Sequence, residues 1–354
     1  MEDRNAAASR ARLDPDGIGQ ALALTAEQAA SAWKNGLATR LPQGARSVVI
    51  AGMGGSALGP HIVTSALADR LRVPVRIVNG YDLPGDVGRN TLVMLSSYSG
   101  TTEETLAALA VARKRKAKLV GICAGGPLAA ALGRLKAPTL VFDPRFNPGN
   151  RPRLGLGYSV FGVAALLHRA KALALSLPEA TDAIRALRET VRTVSPDVPA
   201  LRNVAKRLAA RLAGKAVLWI GAGHLEGAVH AVTNMTNETG KHLAFWLPIP
   251  ELNHHFMEGL GFPKTSVNNF AAVLVRSRSY APRVAARFPL TADVFRKNGV
   301  AVEELKLTER APLAQAMELL MLGGHVAYFL ALAHRVNPSP NPWVDHFKKA
   351  LGPA

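Results

Sequence analysis

The sequence predicts an α/β protein with parallel sheets, built as two related units. Short β-branched apolar runs alternate with Ala/Leu-rich stretches of helical length. Those runs are nearly continuous rather than alternating, as strands buried on both faces are. A strand running into a Gly-x-Gly turn and a helix also occurs twice, as Ile50-Ala51-Gly52-Met53-Gly54 and as Ile220-Gly221-Ala222-Gly223. With 354 residues, 48% of them hydrophobic, the chain is long enough for two domains or for one made of two similar halves.

Each element follows in order. Residues 1–45 read as a helical lead-in, with Ala and Leu at helical spacing from Ile18 to Ala38. Residues 46–153 form the first unit, with strands over 47–50, 73–78, 91–95, 119–122 and 139–142. Its helices are expected over 57–70, 102–117 and 127–136. Residues 154–214 carry helical patterning and no strand signal, which makes them a connection between halves. Residues 215–310 form the second unit, with strands over 216–220, 271–275 and 300–304 and a helix over 226–240. Residues 311–354 supply two C-terminal helices, over 312–335 and 342–351.

Composition excludes several classes. Charged residues are 19% of the chain, and Gly and Pro do not dominate it, so it is not a disordered tail, a collagen or a coiled coil. Cys123 is the one cysteine, which forbids an intramolecular disulfide and suits a reducing cytoplasm. It ends the apolar run Lys118-Leu-Val-Gly-Ile-Cys123 and reads as a small core hydrophobe. The polar start Met1-Glu2-Asp3-Arg4 is unlike a signal peptide. The apolar run from Leu319 to Ala333 is shorter than the roughly 20 residues a bilayer needs, so it reads as a buried helix and no membrane is expected.

The formal charge of +18 raises the question of nucleic acid, an anionic surface or an anionic substrate. The tightest basic cluster, Arg113-Lys114-Arg115-Lys116, closes an expected helix, where the helix dipole favours cations. Aromatics are only 6% and are not interleaved with basic residues, so the equipment for stacking on single strands is missing. A nucleic-acid partner is not expected.

Two segments carry chemistry. In Gly52-Met53-Gly54-Gly55-Ser56-Ala57-Leu58-Gly59 the glycines let backbone N–H groups approach an anion, and Ser56 adds a hydroxyl. No G-K-[ST] follows, and the third glycine is misplaced for a dinucleotide fingerprint. The alternative is a tight strand–helix turn with no ligand. The second segment is Ser96-Ser97-Tyr98-Ser99-Gly100-Thr101-Thr102-Glu103-Glu104-Thr105. An ordinary capping box explains one hydroxyl followed by Glu, but not this density of hydroxyls at a helix start. Neutral donors together with a helix N-terminus hold a phosphate without lysine.

The hydroxyl segment resembles the sugar-phosphate signature of sugar isomerase (SIS) domains. With Gly52–Ser56 it resembles the bifunctional phosphoglucose/phosphomannose isomerase family. Further segments match that family in order: Pro152-Arg153, Asn237-Glu238, Pro250-Glu251-Leu252-Asn253-His254, and Asn337-Pro-Ser-Pro340 with Phe347-Lys348. The resemblance runs from about residue 45 to the end and implies two SIS-type subdomains, each a parallel sheet flanked by helices. It implies an aldose–ketose isomerase, acting on glucose 6-phosphate or mannose 6-phosphate and fructose 6-phosphate through an enediol.

Carried across residue by residue, it places Gly54, Gly55, Ser56, Ser97, Ser99 and Thr102 at the phosphate. It makes Glu238 the base between C2 and C1, and it puts Arg153 beside the enediolate. His254 would assist ring opening from the partner subunit of a homodimer, and Lys348, or Lys349 if the register slips, would sit at the ring oxygen or polarise the hydroxyl. Such chemistry needs a carboxylate, a proton shuttle and a cation, and neither a metal nor a redox cofactor. After Asn253-His254 the chain departs from the family pattern with His255-Phe256. Adjacent histidines are awkward ligands for one ion and no third ligand is evident, so no metal is expected. The departure leaves open another sugar-phosphate isomerase on the same scaffold, and the basic charge leaves open a sugar-phosphate-sensing SIS regulator without catalysis.

Overall fold

A computed structural model describes residues 10–352 of the chain, and the polar start of the sequence lies outside the described residues. Its centre is two fully parallel sheets. The first has five strands, β1 (Ser47–Ala51), β2 (Val75–Val78), β3 (Thr91–Ser96), β4 (Lys118–Cys123) and β5 (Thr139–Val141), in the order β2-β1-β3-β4-β5. The second has β6 (Ala216–Ala222), β7 (Ala244–Ile249), β8 (Phe270–Arg276) and β9 (Ala301–Lys306), in the order β7-β6-β8-β9. β1 pairs with β2 and β3 on its two sides, as β6 pairs with β7 and β8. The repeat anticipated from the two Gly-x-Gly turns is thus a repeat of topology.

The side-chain period of two explains why the central strands of the first half are apolar throughout. Val48, Ile50, Leu92, Met94 and Ile122 join the main core. Their neighbours Val49, Ala51, Val93, Leu95 and Cys123 join a second cluster on the opposite face. Burial pushes the Cys123 thiol pKa up, which keeps it a neutral packing group.

Helices complete the layers. Among the described residues the lead-in includes α1 (Ile18–Ala23) and α2 (Thr25–Ala38), broken at Leu24. α3 (Gly55–Ala66), α4 (Glu103–Lys114) and α5 (Gly126–Arg134) follow β1, β3 and β4. The connection is α6 (Leu156–Arg169), α7 (Leu177–Val194) and α8 (Val204–Leu212), and it has no strand, as its pattern implied. α6 packs along α2, with an added Cβ at Gly36 lying 2.6 Å from Ala165. In the second half α9 (Glu226–Glu238) follows β6, a short α10 (Leu252–His255) follows β7, and α11 (Arg287–Lys297) lies between β8 and β9. α12 (Pro312–Ala333) is long and apolar enough to cross a membrane by composition, yet it is almost wholly buried against α7 and α9. α13 (Pro342–Leu351) follows and is exposed along its length.

β7 and α11 of the second half, like the short α10, escaped the sequence pattern. β7, with the sequence Ala-Phe-Trp-Leu-Pro-Ile, is an edge strand, the place where a Pro such as Pro248 is tolerated. Its Phe245 is exposed, so it lacks the buried run that marks the central strands. α11 mixes five polar or charged residues with six apolar ones and buries only Phe288, Thr291, Ala292 and Phe295.

The halves meet where α3 crosses α9. Gly227 makes the approach possible, because a Cβ there would lie 2.4 Å from the backbone of His61. In this seam His61 Nδ1 lies 3.1 Å from His230 Nδ1, and His230 stacks on Trp246. Burial lowers both imidazole pKa values, that of His230 to about 4 with His61 adding to the effect. An unfolded chain takes up these protons near the ordinary histidine value of about 6.5, whereas the seam resists them until lower pH. Stability present above about pH 6.5 is therefore lost as pH falls toward 4. The free energy of urea unfolding is expected to fall between about pH 7 and pH 5, and to fall less in His230→Phe, which keeps a ring against Trp246. Equal slopes in the two proteins would exclude the seam as a titrating element.

Candidate active site

In an open parallel sheet, ligands bind beyond the carboxyl ends of the strands where the strand order reverses. In the first sheet that point lies between β1 and β3. The Gly52–Ser56 turn leaves β1 there, and the Ser96–Thr102 loop leaves β3. Gly54 has φ +50°, a left-handed conformation that favours glycine. Gly55 lies against the next segment, because a Cβ there would come within 2.9 Å of the Pro152 carbonyl.

The hydroxyls form a connected set. Ser56 Oγ accepts from the Tyr98 N–H at 2.9 Å, and Ser96 Oγ donates to the Ser56 carbonyl at 2.9 Å, so the two loops are tied together. Ser97 Oγ and Thr102 Oγ1 are 2.8 Å apart, and Ser99 Oγ and Thr101 Oγ1 are 2.7 Å apart. Ser97 Oγ also accepts from the Gly100 N–H at 3.0 Å. Neither α3 nor α4 has a side-chain cap at its N-terminus. Two sets of first-turn N–H groups are thus left without a side-chain acceptor next to rotatable hydroxyls, which is a neutral cradle for an anion. All six expected phosphate contacts, Gly54, Gly55, Ser56, Ser97, Ser99 and Thr102, lie on these two loops. Glu103 accepts a hydrogen bond from the Tyr81 hydroxyl.

The role of Asn79 was missed in the sequence. The residue follows β2 where a dinucleotide protein would carry an acid, and its Nδ2 donates to the Gly52 carbonyl at 2.8 Å, pinning the glycine turn. Tyr98 was also missed. Its hydroxyl accepts from Asn147 Nδ2 at 2.8 Å and donates to Asn150 Oδ1 at 3.1 Å, fixing the loop that leads to Arg151 and Arg153. Burial raises the Tyr98 pKa to about 12, so it remains a neutral phenol.

Arg153 joins this cradle to the second half. It is 5% exposed and sits beside Pro152, the residue against Gly55. Its Nε donates to Thr239 Oγ1 at 3.0 Å, and its Nη2 donates to the carbonyls of Pro338 and Ser339 at 2.9 and 2.7 Å. Burial works against its charge and Glu238 favours it. Glu238 is the last residue of α9 and is half-buried, and its Oε2 accepts from Asn341 Nδ2 at 2.9 Å. Arg151 Nε donates to Ser339 Oγ at 2.9 Å. Arg153 and Glu238 therefore meet at the segment 337–341, and Pro152 next to Arg153 borders the cradle at Gly55.

The other two expected residues are elsewhere on the chain. His254 lies on α10, exposed, and its side chain makes no hydrogen bond, ion pair or ring contact among the described residues. Asn253 beside it is anchored to α11, its Nδ2 donating to Thr291 Oγ1 at 2.8 Å. Lys348 is on exposed α13 with no side-chain partner among the described residues, and the same holds for Lys349. The unusual pair after His254 has local roles: His255 lies 3.8 Å from Glu251, and Phe256 stacks on Phe295.

The second half keeps the topology without the cradle. At its own switch point, between β6 and β8, Gln315 of α12 fills the space. His224 Nε2 lies 2.7 Å from Gln315 Oε1, and Ser277 Oγ donates to the same oxygen at 2.7 Å.

Two parallel-sheet units with one hydroxyl cradle at a strand-order switch define a protein of the SIS phosphosugar isomerase fold. The profile of the bacterial phospho-glucose isomerase C-terminal SIS domain matches residues 201–351. The chain is 31% identical over 306 residues to the bifunctional phosphoglucose/phosphomannose isomerase of Caldicellulosiruptor bescii, covering 86% of this chain and 89% of that protein. It is 27% identical over 308 residues to the Aquifex aeolicus protein of the same name, covering 86% and 90%. Among solved structures, a hypothetical protein from Thermus thermophilus is similar with a TM-score of 0.70 at 20% identity, covering 99% of this chain and 94% of that one. The chain belongs to the bifunctional phosphoglucose/phosphomannose isomerase family and is a sugar-phosphate isomerase.

Proposed function

We propose that the chain interconverts glucose 6-phosphate, mannose 6-phosphate or both with fructose 6-phosphate through a cis-enediol. The observation that carries this is Arg153, a buried guanidinium set between the wall of the hydroxyl cradle and the helix end bearing Glu238. A phosphate held at α3 and α4 leaves the sugar's C1 and C2 to extend toward that carboxylate and cation. Glu238 removes the proton from C2 of the aldose and returns it to C1, while a proton moves between O1 and O2. Arg153 stabilises the charge on the enediolate oxygen. Atoms and electrons balance within the substrate, and the steps call for neither a metal nor a redox cofactor.

In this reading the enzyme is a homodimer, and His254 opens the sugar ring in the partner's site. The exposed imidazole, with no hydrogen-bond or ring partner among the described residues, supports that, as does the exposed apolar stripe of α13 at Trp343 and Phe347. Lys348 on the same helix would reach a ring oxygen by that route. A cytoplasmic setting suits the single buried thiol.

The test is turnover with each hexose 6-phosphate, followed by mixing of two inactive variants, Glu238→Gln and His254→Ala. Co-refolded mixtures are expected to regain activity, because some mixed dimers hold one intact composite site. A panel in which neither aldose 6-phosphate turns over would sink the substrate assignment. A fully active monomer in sedimentation would sink the shared site.

A further inference from the structure

Lys241 and Asn341 were given no part in the reaction, yet both reach Glu238. Lys241 follows Gly240 just past the end of α9, with φ +50°. That left-handed turn throws its side chain back onto the helix end. Nζ donates to the Glu238 carbonyl at 2.6 Å, to the Pro340 carbonyl, and to Asn341 Oδ1 at 2.9 Å. Asn341 Nδ2 in turn donates to Glu238 Oε2.

The orientation of the Asn341 amide is dictated by these neighbours. An ammonium only donates and a carboxylate only accepts, so the amide oxygen must face Lys241 and the amide nitrogen must face Glu238. Flipping the amide would break both bonds. Glu238 Oε1 accepts no hydrogen bond among the described residues. One carboxylate oxygen is thus tied down and the other is left for a proton. The segment 337–341 that brings Asn341 here is itself gripped by Arg151 at Ser339 Oγ, by Arg153 at two carbonyls and by Lys241 at a third.

We infer that Asn341 is a positioning residue that aims the Glu238 carboxylate at the substrate, and that Lys241 acts through it by fixing the amide and strapping segment 337–341 to the end of α9. The inference rests on Glu238 being the base. Lys241, not Lys348, is then the lysine that a single chain brings to the catalytic carboxylate.

A structural cap and a positioning pair differ in what they do to turnover. Steady-state kinetics with fructose 6-phosphate would compare wild type with Asn341→Ala, Lys241→Met, their double variant and Lys241→Arg. Loss of a hydrogen bond to a charged group is expected to lower kcat by about ten- to a hundredfold, while KM moves by less than about threefold. The double variant is expected to lose about as much as the worse single, because the residues act in one chain. Lys241→Arg is expected to recover part of the loss. Independent losses that multiply, or a lower Tm with unchanged kcat, would overturn the inference.

The pH profile gives a second readout. Burial, then Arg153 and more weakly Arg151, push the Lys241 pKa down to about 8, against the pull of Glu238. Wild-type kcat is expected to decline on the alkaline side near that value, and Lys241→Arg is expected to carry the decline upward. An unshifted alkaline limb in Lys241→Arg would count against the relay. Glu238→Gln separates the two claims: an active Glu238→Gln refutes the base itself, whereas a dead Glu238→Gln beside a fully active Asn341→Ala refutes only the positioning.

Discussion

Glu238→Gln is expected to fold as the parent does and to lose about 10²- to 10⁴-fold in kcat, the range assigned to a positioned general base. The substitution is nearly isosteric. A glutamine carbonyl still accepts from Asn341 Nδ2, and the helix-end carbonyl that Lys241 holds is untouched. What changes is the capacity to take a proton. The variant also removes the negative charge facing Arg153 and Lys241, two groups whose burial already works against their charge. A modest fall in Tm is therefore expected beside the large fall in turnover, and KM for fructose 6-phosphate is expected to stay near the parent value. A kcat within about threefold of the parent, measured in a coupled assay on protein with a normal near-ultraviolet spectrum, would end the role of this residue as the base.

How much of this was legible depends on how local the signal was. The central strands of the first sheet announce themselves because both of their faces are buried, so the residues run apolar without a break. The hydroxyl loop is a contiguous stretch, and its position after β3 fixes it at the switch point. β7 was missed although its six residues run apolar, because Pro248 inside the run argues against a strand and is tolerated here only because β7 lies at an edge. The site beyond the cradle is different in kind. Arg153 meets carbonyls 185 and 186 residues away, and Asn341 meets Glu238 across 103 residues. No spacing rule reaches that far. The basic cluster after α4 gives a milder case: Arg115 donates to the carbonyls of Leu83 and Pro84 and ties down a loop, a use of charge that composition cannot display.

Arg153→Met is expected to lower kcat/KM by about 10²- to 10³-fold, the loss seen when one preorganised oxyanion partner is removed. Two effects are combined in that figure. The cation beside the enediolate is gone, and three oxygens, those of Thr239, Pro338 and Ser339, lose their donor. Unsatisfied buried acceptors cost about 1–3 kcal/mol each, partly offset here because a buried charge no longer has to be desolvated. Arg153→Lys separates the effects. Lysine keeps the charge and loses the planar fork, so it cannot span Thr239 and both carbonyls at once. If charge near the oxyanion dominates, Arg153→Lys regains most of the turnover while remaining as unstable as Arg153→Met. If holding segment 337–341 dominates, Arg153→Lys stays slow, and added guanidinium at millimolar concentration restores kcat in Arg153→Gly more than an alkylammonium does. Full activity in Arg153→Met would refute both roles, since among the described residues no other side chain links the cradle wall to the end of α9 in this way.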